Sequence, residues 1–250
     1  MLLTLRIVVR LLVPALAIVL SGCPVDPGPA DGGADGGSAG HRAPEALRSC
    51  ASNPGPVSSI AQATARLNQL PRPAFPACFV ASLQRPINVL GSAGQLSLQP
   101  AVDRATPRVF IVNSTLVLSV VAGGDAGHLI EMGEWVTNLR TLKGELELPI
   151  TADLTADAPY TRIKASASGS TCGICHRQEA VSPSVPNGFE SAAFRPAPSD
   201  VVRVPELAAE HDGCVDAGTV SERCDMFHAL FDFGEVKQGA FANSVELFIP

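Results

Sequence analysis

Apolar and polar positions change rhythm several times along this 250-residue chain. Residues 1–22, MLLTLRIVVRLLVPALAIVLSG, carry Arg6 and Arg10 and then an uncharged apolar run from Leu11 to Leu20. That run is too short to cross a bilayer as a helix and fits the apolar region of an export signal. From Pro24 to about Ser49, Gly, Pro, Ala and Asp dominate and bulky apolar residues are scarce. Such a segment cannot bury a core, so residues 23–49 are expected to be a flexible tether.

From about Cys78 to Ile150 the rhythm is that of strands. RVFIVNSTLVLSVV (Arg108–Val121) is rich in β-branched residues, with Asn113-Ser114 as a turn between two runs. GELELPI (Gly144–Ile150) alternates Glu and Leu, as a strand does with one face in solvent. CFVASL and QLSLQPAV supply shorter strand candidates between Pro- and Gly-containing turns. Residues 50–165 therefore read as a β-rich half, an antiparallel sandwich or barrel. Residues 166–250 read differently. Val181–Asp200 is a proline-rich loop, PELAAEH a short helix, and SERCDMFHALFDFGEV a buried helix capped by Ser221 and ended by Gly234. ANSVELFIP reads as a closing strand. The fold class expected is mixed and β-rich, with a loop-rich, partly helical second region.

The formal net charge is −6, and removal of residues 1–22 takes Arg6 and Arg10 with it, leaving −8. No basic cluster accompanies this acidic balance, which argues against a nucleic-acid partner. Seven cysteines are present. Cys23 closes the apolar run, and six remain: Cys50, Cys78, Cys172, Cys175, Cys214 and Cys224. An even set in an exported chain points to disulfides, with fifteen pairings open. If Cys172 and Cys175 are taken up by another role, order along the chain suggests Cys50–Cys78 and Cys214–Cys224 for the other four.

Two short stretches carry chemistry. Leu20-Ser21-Gly22-Cys23 resembles the lipobox of bacterial lipoproteins. The resemblance implies cleavage after Gly22, a diacylglyceryl group on the Cys23 sulfur, and a chain held at the inner or outer membrane of the cell envelope, facing away from the cytoplasm. STCGICHRQE (Ser170–Glu179) holds Cys172, Cys175 and His176 as C-x-x-C-H, which resembles the haem-attachment motif of c-type cytochromes. The resemblance implies one haem c, with Cys172 and Cys175 joined to its vinyl groups and His176 as proximal iron ligand. Attachment of this kind takes place outside the cytoplasm, in agreement with the export signal.

For the sixth iron position Met226 is the leading candidate and His228 the alternative. On one helix the two project about 200° apart, so at most one can face the iron. His128 and His211 are secondary, and His41 falls in the tether. The common cytochrome c domain is helical and carries its motif near its start, whereas here the motif follows strands. Three other readings of the cysteines stay open. Cys172 and Cys175 can form a thiol–disulfide exchange pair. Cys172, Cys175, Cys214 and Cys224 can hold a zinc ion. All six can be structural disulfides of a haem-free binding or structural module.

No nucleophile elbow, H-E-x-x-H or phosphate-binding glycine loop occurs in the sequence. A single haem motif without a substrate-site signature suits an electron carrier serving a redox protein partner better than a catalyst.

Overall fold

The computed structural model describes residues 43–218 and 220–248. The export signal, Cys23, His41 and most of the tether lie outside the described residues. Helix α1 (Glu45–Ala51) begins inside the stretch read as tether. Leu47 and Cys50 pack into the core, and a disulfide from Cys50 to Cys78 holds them there. Helix α2 (Ile60–Gln69) was not expected in the β-rich half. Ser59 Oγ accepts from the Gln62 backbone amide, and Ile60, Ala63, Thr64 and Leu67 recur at helical spacing and are buried.

Helix α3 (Pro76–Ala81) replaces the strand expected over CFVASL. Every residue of it is buried, so no alternation of faces separates helix from strand in the sequence. Pro76 sits at the start of the helix, where its missing N–H leaves no hydrogen bond unmade.

Five strands then form an antiparallel meander: β1 (Ile87–Ser92), β2 (Arg108–Val112), β3 (Leu116–Val121), β4 (Leu129–Trp135) and β5 (Arg140–Glu147). The β2–β3 turn falls at Asn113-Ser114 as expected, with Asn113 Oδ1 accepting from the amides of Thr115 (2.9 Å) and Leu116 (2.6 Å). QLSLQPAV forms no strand. Its Gln99 is wholly buried instead, donating to the Leu129 carbonyl (2.8 Å) and accepting from Ser119 Oγ (2.7 Å). These bonds fix the segment as a loop against β3 and β4.

After helix α4 (Ala158–Ile163), the chain adds β6 (Ala180–Val181), β7 (Phe189–Ala192), β8 (Phe194–Arg195) and β9 (Val201–Val202). Helices α5 (Val204–Ala217) and α6 (Glu222–Phe231) follow, and then β10 (Val236–Gln238) and β11 (Glu246–Leu247). Nine strands share one sheet in the order β10-β1-β2-β3-β4-β5-β7-β6, with β9 on β1; β8 and β11 pair separately. The sheet is mostly antiparallel and does not close into a barrel. The boundary expected at 165 does not divide it, because β6, β7, β9 and β10 come from the later region and the described residues form one compact unit.

The two faces of the sheet differ. Val109, Ile111, Leu116, Leu118, Ile130, Met132, Leu142 and Leu146 join the helices in one apolar core. The alternate positions carry Arg108, Ser119, Glu131, Thr141, Lys143 and Glu145, which line a cavity. Helix α6 is capped by Ser221 Oγ, which accepts from the Cys224 amide (3.1 Å). At its other end the Arg85 guanidinium donates to the carbonyls of Ala229 (2.5 Å) and Leu230 (2.8 Å). Among the described residues no helix is long and apolar enough to cross a membrane.

Candidate functional site

Cys172 lies in a single 3₁₀ turn (Thr171–Ile174), with Cys175 as the residue that ends it. Ser170 Oγ accepts from the Cys172 amide (3.1 Å), and the Glu179 carboxylate accepts from the amide (2.7 Å) and hydroxyl (2.5 Å) of Ser170. Gly173 packs against that carboxylate so closely that a Cβ would meet Oε1 at 2.6 Å. A larger residue in place of the motif glycine would push the Glu179 carboxylate away from its hydrogen bonds to Ser170. Arg140 donates to the Gln178 carbonyl (2.8 Å), and the Ala192 amide to the Arg177 carbonyl (3.0 Å), so the loop is pinned to β5 and β7.

Cys172 and Cys175 carry unbonded thiols, whereas Cys50–Cys78 and Cys214–Cys224 are disulfides, the pairs that proximity suggests. The four-cysteine zinc set is therefore not assembled: two of its members are bonded to each other between α5 and α6. Burial pushes the Cys172 thiol up to about 11, with the Glu131 carboxylate adding to the rise. A thiol held protonated is the opposite of what a disulfide-exchange nucleophile needs.

The His176 ring stacks on Phe194, centroids 5.3 Å apart. Its Nδ1 lies 2.7 Å from the Ala192 carbonyl oxygen and 3.2 Å from Lys143 Nζ. A carbonyl can only accept, so the shorter contact places the proton on Nδ1 and leaves the lone pair on Nε2. Lys143 then donates to the same carbonyl at 3.4 Å. Burial, and secondarily the Lys143 charge, push His176 down to about 3, so its imidazole is neutral at physiological pH. That is the form able to bind a metal ion.

The cavity beneath the loop has a volume of about 160 Å³. Its floor is the polar face of β2 to β5. Arg108 donates to Ser119 Oγ (2.6 Å) and to the Glu131 carboxylate, and Lys143 is brought down to about 8 by burial. Burial and the neighbouring Glu131 carboxylate raise Glu145 above the usual carboxylate range. The Thr141 hydroxyl is buried with no hydrogen-bond partner and also lines this space. Aromatic side chains of Phe110, Trp135, Phe194, Phe241 and Phe248 complete the wall.

Sequence reasoning missed these charged strand residues. The alternation of Lys143 and Glu145 in RTLKGELE reads as a solvent-facing side, and overlying residues from segments 92–98, 172–176 and 193–197, with Phe241 and Phe248, enclose it. The fold does not bring the expected distal ligands to this cavity. Met226 is a buried member of the helix-side core, and His228 Nδ1 contacts Asp232 Oδ2 (2.9 Å) in the same helical layer. His211 is with them, and His128 stands 3.9 Å from Glu147.

Two unbonded thiols and a neutral imidazole with its lone pair on Nε2, the donor types that covalent haem would need, stand together here. The cavity alone is smaller than the roughly 300–1,000 Å³ that encloses a drug-sized ligand. Apolar side chains at the mouth, Leu96 and Leu98, are exposed, and Ile174 in the motif is 77% exposed. Searches of protein-family models, curated proteins and solved structures returned no match.

Proposed function

We propose that this chain is an exported lipoprotein that carries one covalently attached haem c and passes single electrons between redox proteins of the cell envelope. The observation that carries the reading is the hydrogen bond from His176 Nδ1 to the Ala192 carbonyl beside two unbonded cysteines. It fixes the imidazole in the tautomer and orientation that a metal ligand requires. Cys172 and Cys175 hold the group, and His176 is its ligand from this chain. When bound, haem supplies one-electron iron chemistry. The chain's own residues hold the imidazole, exclude water from its Nδ1 side and present apolar surface at Leu96, Leu98 and Ile174. Neither Met226 nor His228 is included as a ligand in this reading. The lipid on Cys23 keeps the domain at the membrane, and residues 24–42 give it reach.

The test is a reduced-minus-oxidised visible spectrum of the exported protein, made with cytochrome c maturation factors, beside a haem-stained denaturing gel. A c-type spectrum and a stained band are expected, and His176→Ala is expected to alter the spectrum while the band persists. A folded protein without a stained band would overturn the haem reading.

A second reading is favoured by the orphaned Thr141 hydroxyl at the Arg108–Glu131–Lys143 floor. A haem-free, disulfide-stapled module would bind a small polar ligand there, because such a ligand satisfies the buried hydroxyl. In that case Cys172→Ser changes stability and nothing else.

A further inference from the structure

On the opposite side of the sheet from the cavity face, in the helical layer, three side chains with metal-binding atoms converge. His211 comes from α5, His228 from α6, and Asp232 from the residue that ends α6. One ligating atom from each lies within 4.8 Å of the other two. The Asp232 carboxylate stands between the rings, with Oδ1 2.7 Å from His211 Nε2 and Oδ2 2.9 Å from His228 Nδ1. The two rings are nearly perpendicular, with centroids 5.3 Å apart. We propose that His211, His228 and Asp232 form a binding site for a divalent first-row transition ion such as Zn²⁺, a second metal site independent of the cysteine motif.

Four features support this assignment. The donor set of two imidazoles and one carboxylate suits zinc, nickel, copper or iron, whereas magnesium and calcium favour oxygen donors alone. The placement is that of a two-helix chelate: His228 and Asp232 are one helical turn apart and His211 faces them from the neighbouring helix. The Cys214–Cys224 disulfide ties those helices together next to the site, and Ser221 and Arg85 fix the two ends of α6. The frame is therefore rigid before any ion arrives. Last, His211 Nδ1 lies 3.5 Å from the Asp212 carboxylate. With Nε2 on the ion and the proton on Nδ1, the exposed Asp212 carboxylate offers that N–H a nearby acceptor.

Tetrahedral bonds of about 2.1 Å separate donor atoms by about 3.4 Å. The contacts of 2.7 and 2.9 Å open by under an ångström to reach that spacing, and the widest separation, within 4.8 Å, closes by up to about 1.4 Å. On binding, each ligating nitrogen gives up any proton it shares with the carboxylate, and a neutral imidazole then carries its single proton on the other ring nitrogen. Among the described residues the site supplies these three donors.

Titration of the full-length protein with Zn²⁺ by isothermal calorimetry tests the site, with Cys172→Ser/Cys175→Ser, His211→Gln and Asp232→Asn proteins in parallel. One ion per chain is expected, retained by the double cysteine variant and weakened at least a hundredfold in His211→Gln and Asp232→Asn. Asp212→Asn is expected to weaken it by about ten- to a hundredfold. Zn²⁺ should also raise the melting temperature of the parent and leave that of His211→Gln unmoved. If Asp232→Asn does not fold, the partly exposed His211 still decides the matter. Zinc binding that disappears with the cysteines, or that His211→Gln leaves intact, overturns the proposal. So does the absence of binding in the parent, which makes the cluster a hydrogen-bonded triad only.

Discussion

His176 has two neighbours competing for one nitrogen, and the carbonyl of Ala192 wins because it cannot donate. The consequence is a single tautomer with Nε2 as the available base. Cys172 is governed by a different balance. Burial and the Glu131 carboxylate both oppose the thiolate, and the Lys143 charge only partly offsets them, so the thiol sits near 11 instead of 9. Moving the value upward makes the neutral form dominant throughout the physiological range. In protein made without haem, Cys172 is expected to alkylate about a hundredfold more slowly at pH 8 than an ordinary cysteine, accelerating as pH approaches 11. Peptide mass spectrometry after timed iodoacetamide treatment reads this directly. Rapid modification of Cys172 at pH 7 would revive the disulfide-exchange reading.

Helix α6 shows how one element can be read correctly for its shape and differently for its role. Ser221, Glu222 and the apolar run mark it in the sequence, and it forms where they say. Its residues cover most of the circumference with apolar surface, so nothing in the sequence says which neighbour Met226 meets. In the fold Met226 meets the core. Met226→Ala is therefore expected to lower the unfolding free energy by about 2–5 kcal/mol in denaturant titration, with the haem spectrum unchanged. A changed spectrum in Met226→Leu would restore the methionine as an iron ligand. The Cys214–Cys224 bridge closes a short loop, with a separation of 10 residues, between α5 and α6. Replacing both cysteines with alanine is expected to cost about 3 kcal/mol, chiefly by freeing the unfolded chain. Chemical denaturation with and without the bridge measures it. If the metal site also lies here, the same double variant should weaken Zn²⁺ as well.

At the scale of the whole molecule, one sheet separates two kinds of interior. The helix side is a conventional apolar core, while the other side encloses Arg108, Glu131, Lys143 and Glu145 in a small polar space. Buried charges of this kind need mutual pairing to be tolerated, and Arg108 with Glu131 supplies it. The cysteine motif closes that space from above, next to the exposed apolar rim. In the lipoprotein reading, delivery of the molecule rests on Cys23, which lies outside the described residues. Cys23→Ala is expected to shift the protein from the membrane pellet to the soluble fraction without changing its melting temperature. Retention in a carbonate-washed pellet would mean that another segment anchors it.

The sequence by itself determined what depends on neighbours along the chain. The Asn113-Ser114 turn, the β2 and β3 strands and the cap and start of α6 all have local causes: a side chain bonding its own turn, a run of β-branched residues, a capping hydroxyl. The C-x-x-C-H spacing is local in the same sense. Tertiary structure alone decided the rest. CFVASL became a helix because it is buried on every side, and a wholly buried segment carries no periodic signature. Residues 166–250 joined the first sheet because strand pairing is set by contacts far apart in sequence. Lys143 and Glu145 became cavity residues, and Met226 a core residue, because a polar or apolar side chain reports only its preference for water. What covers it is settled by the segments that the fold brings across.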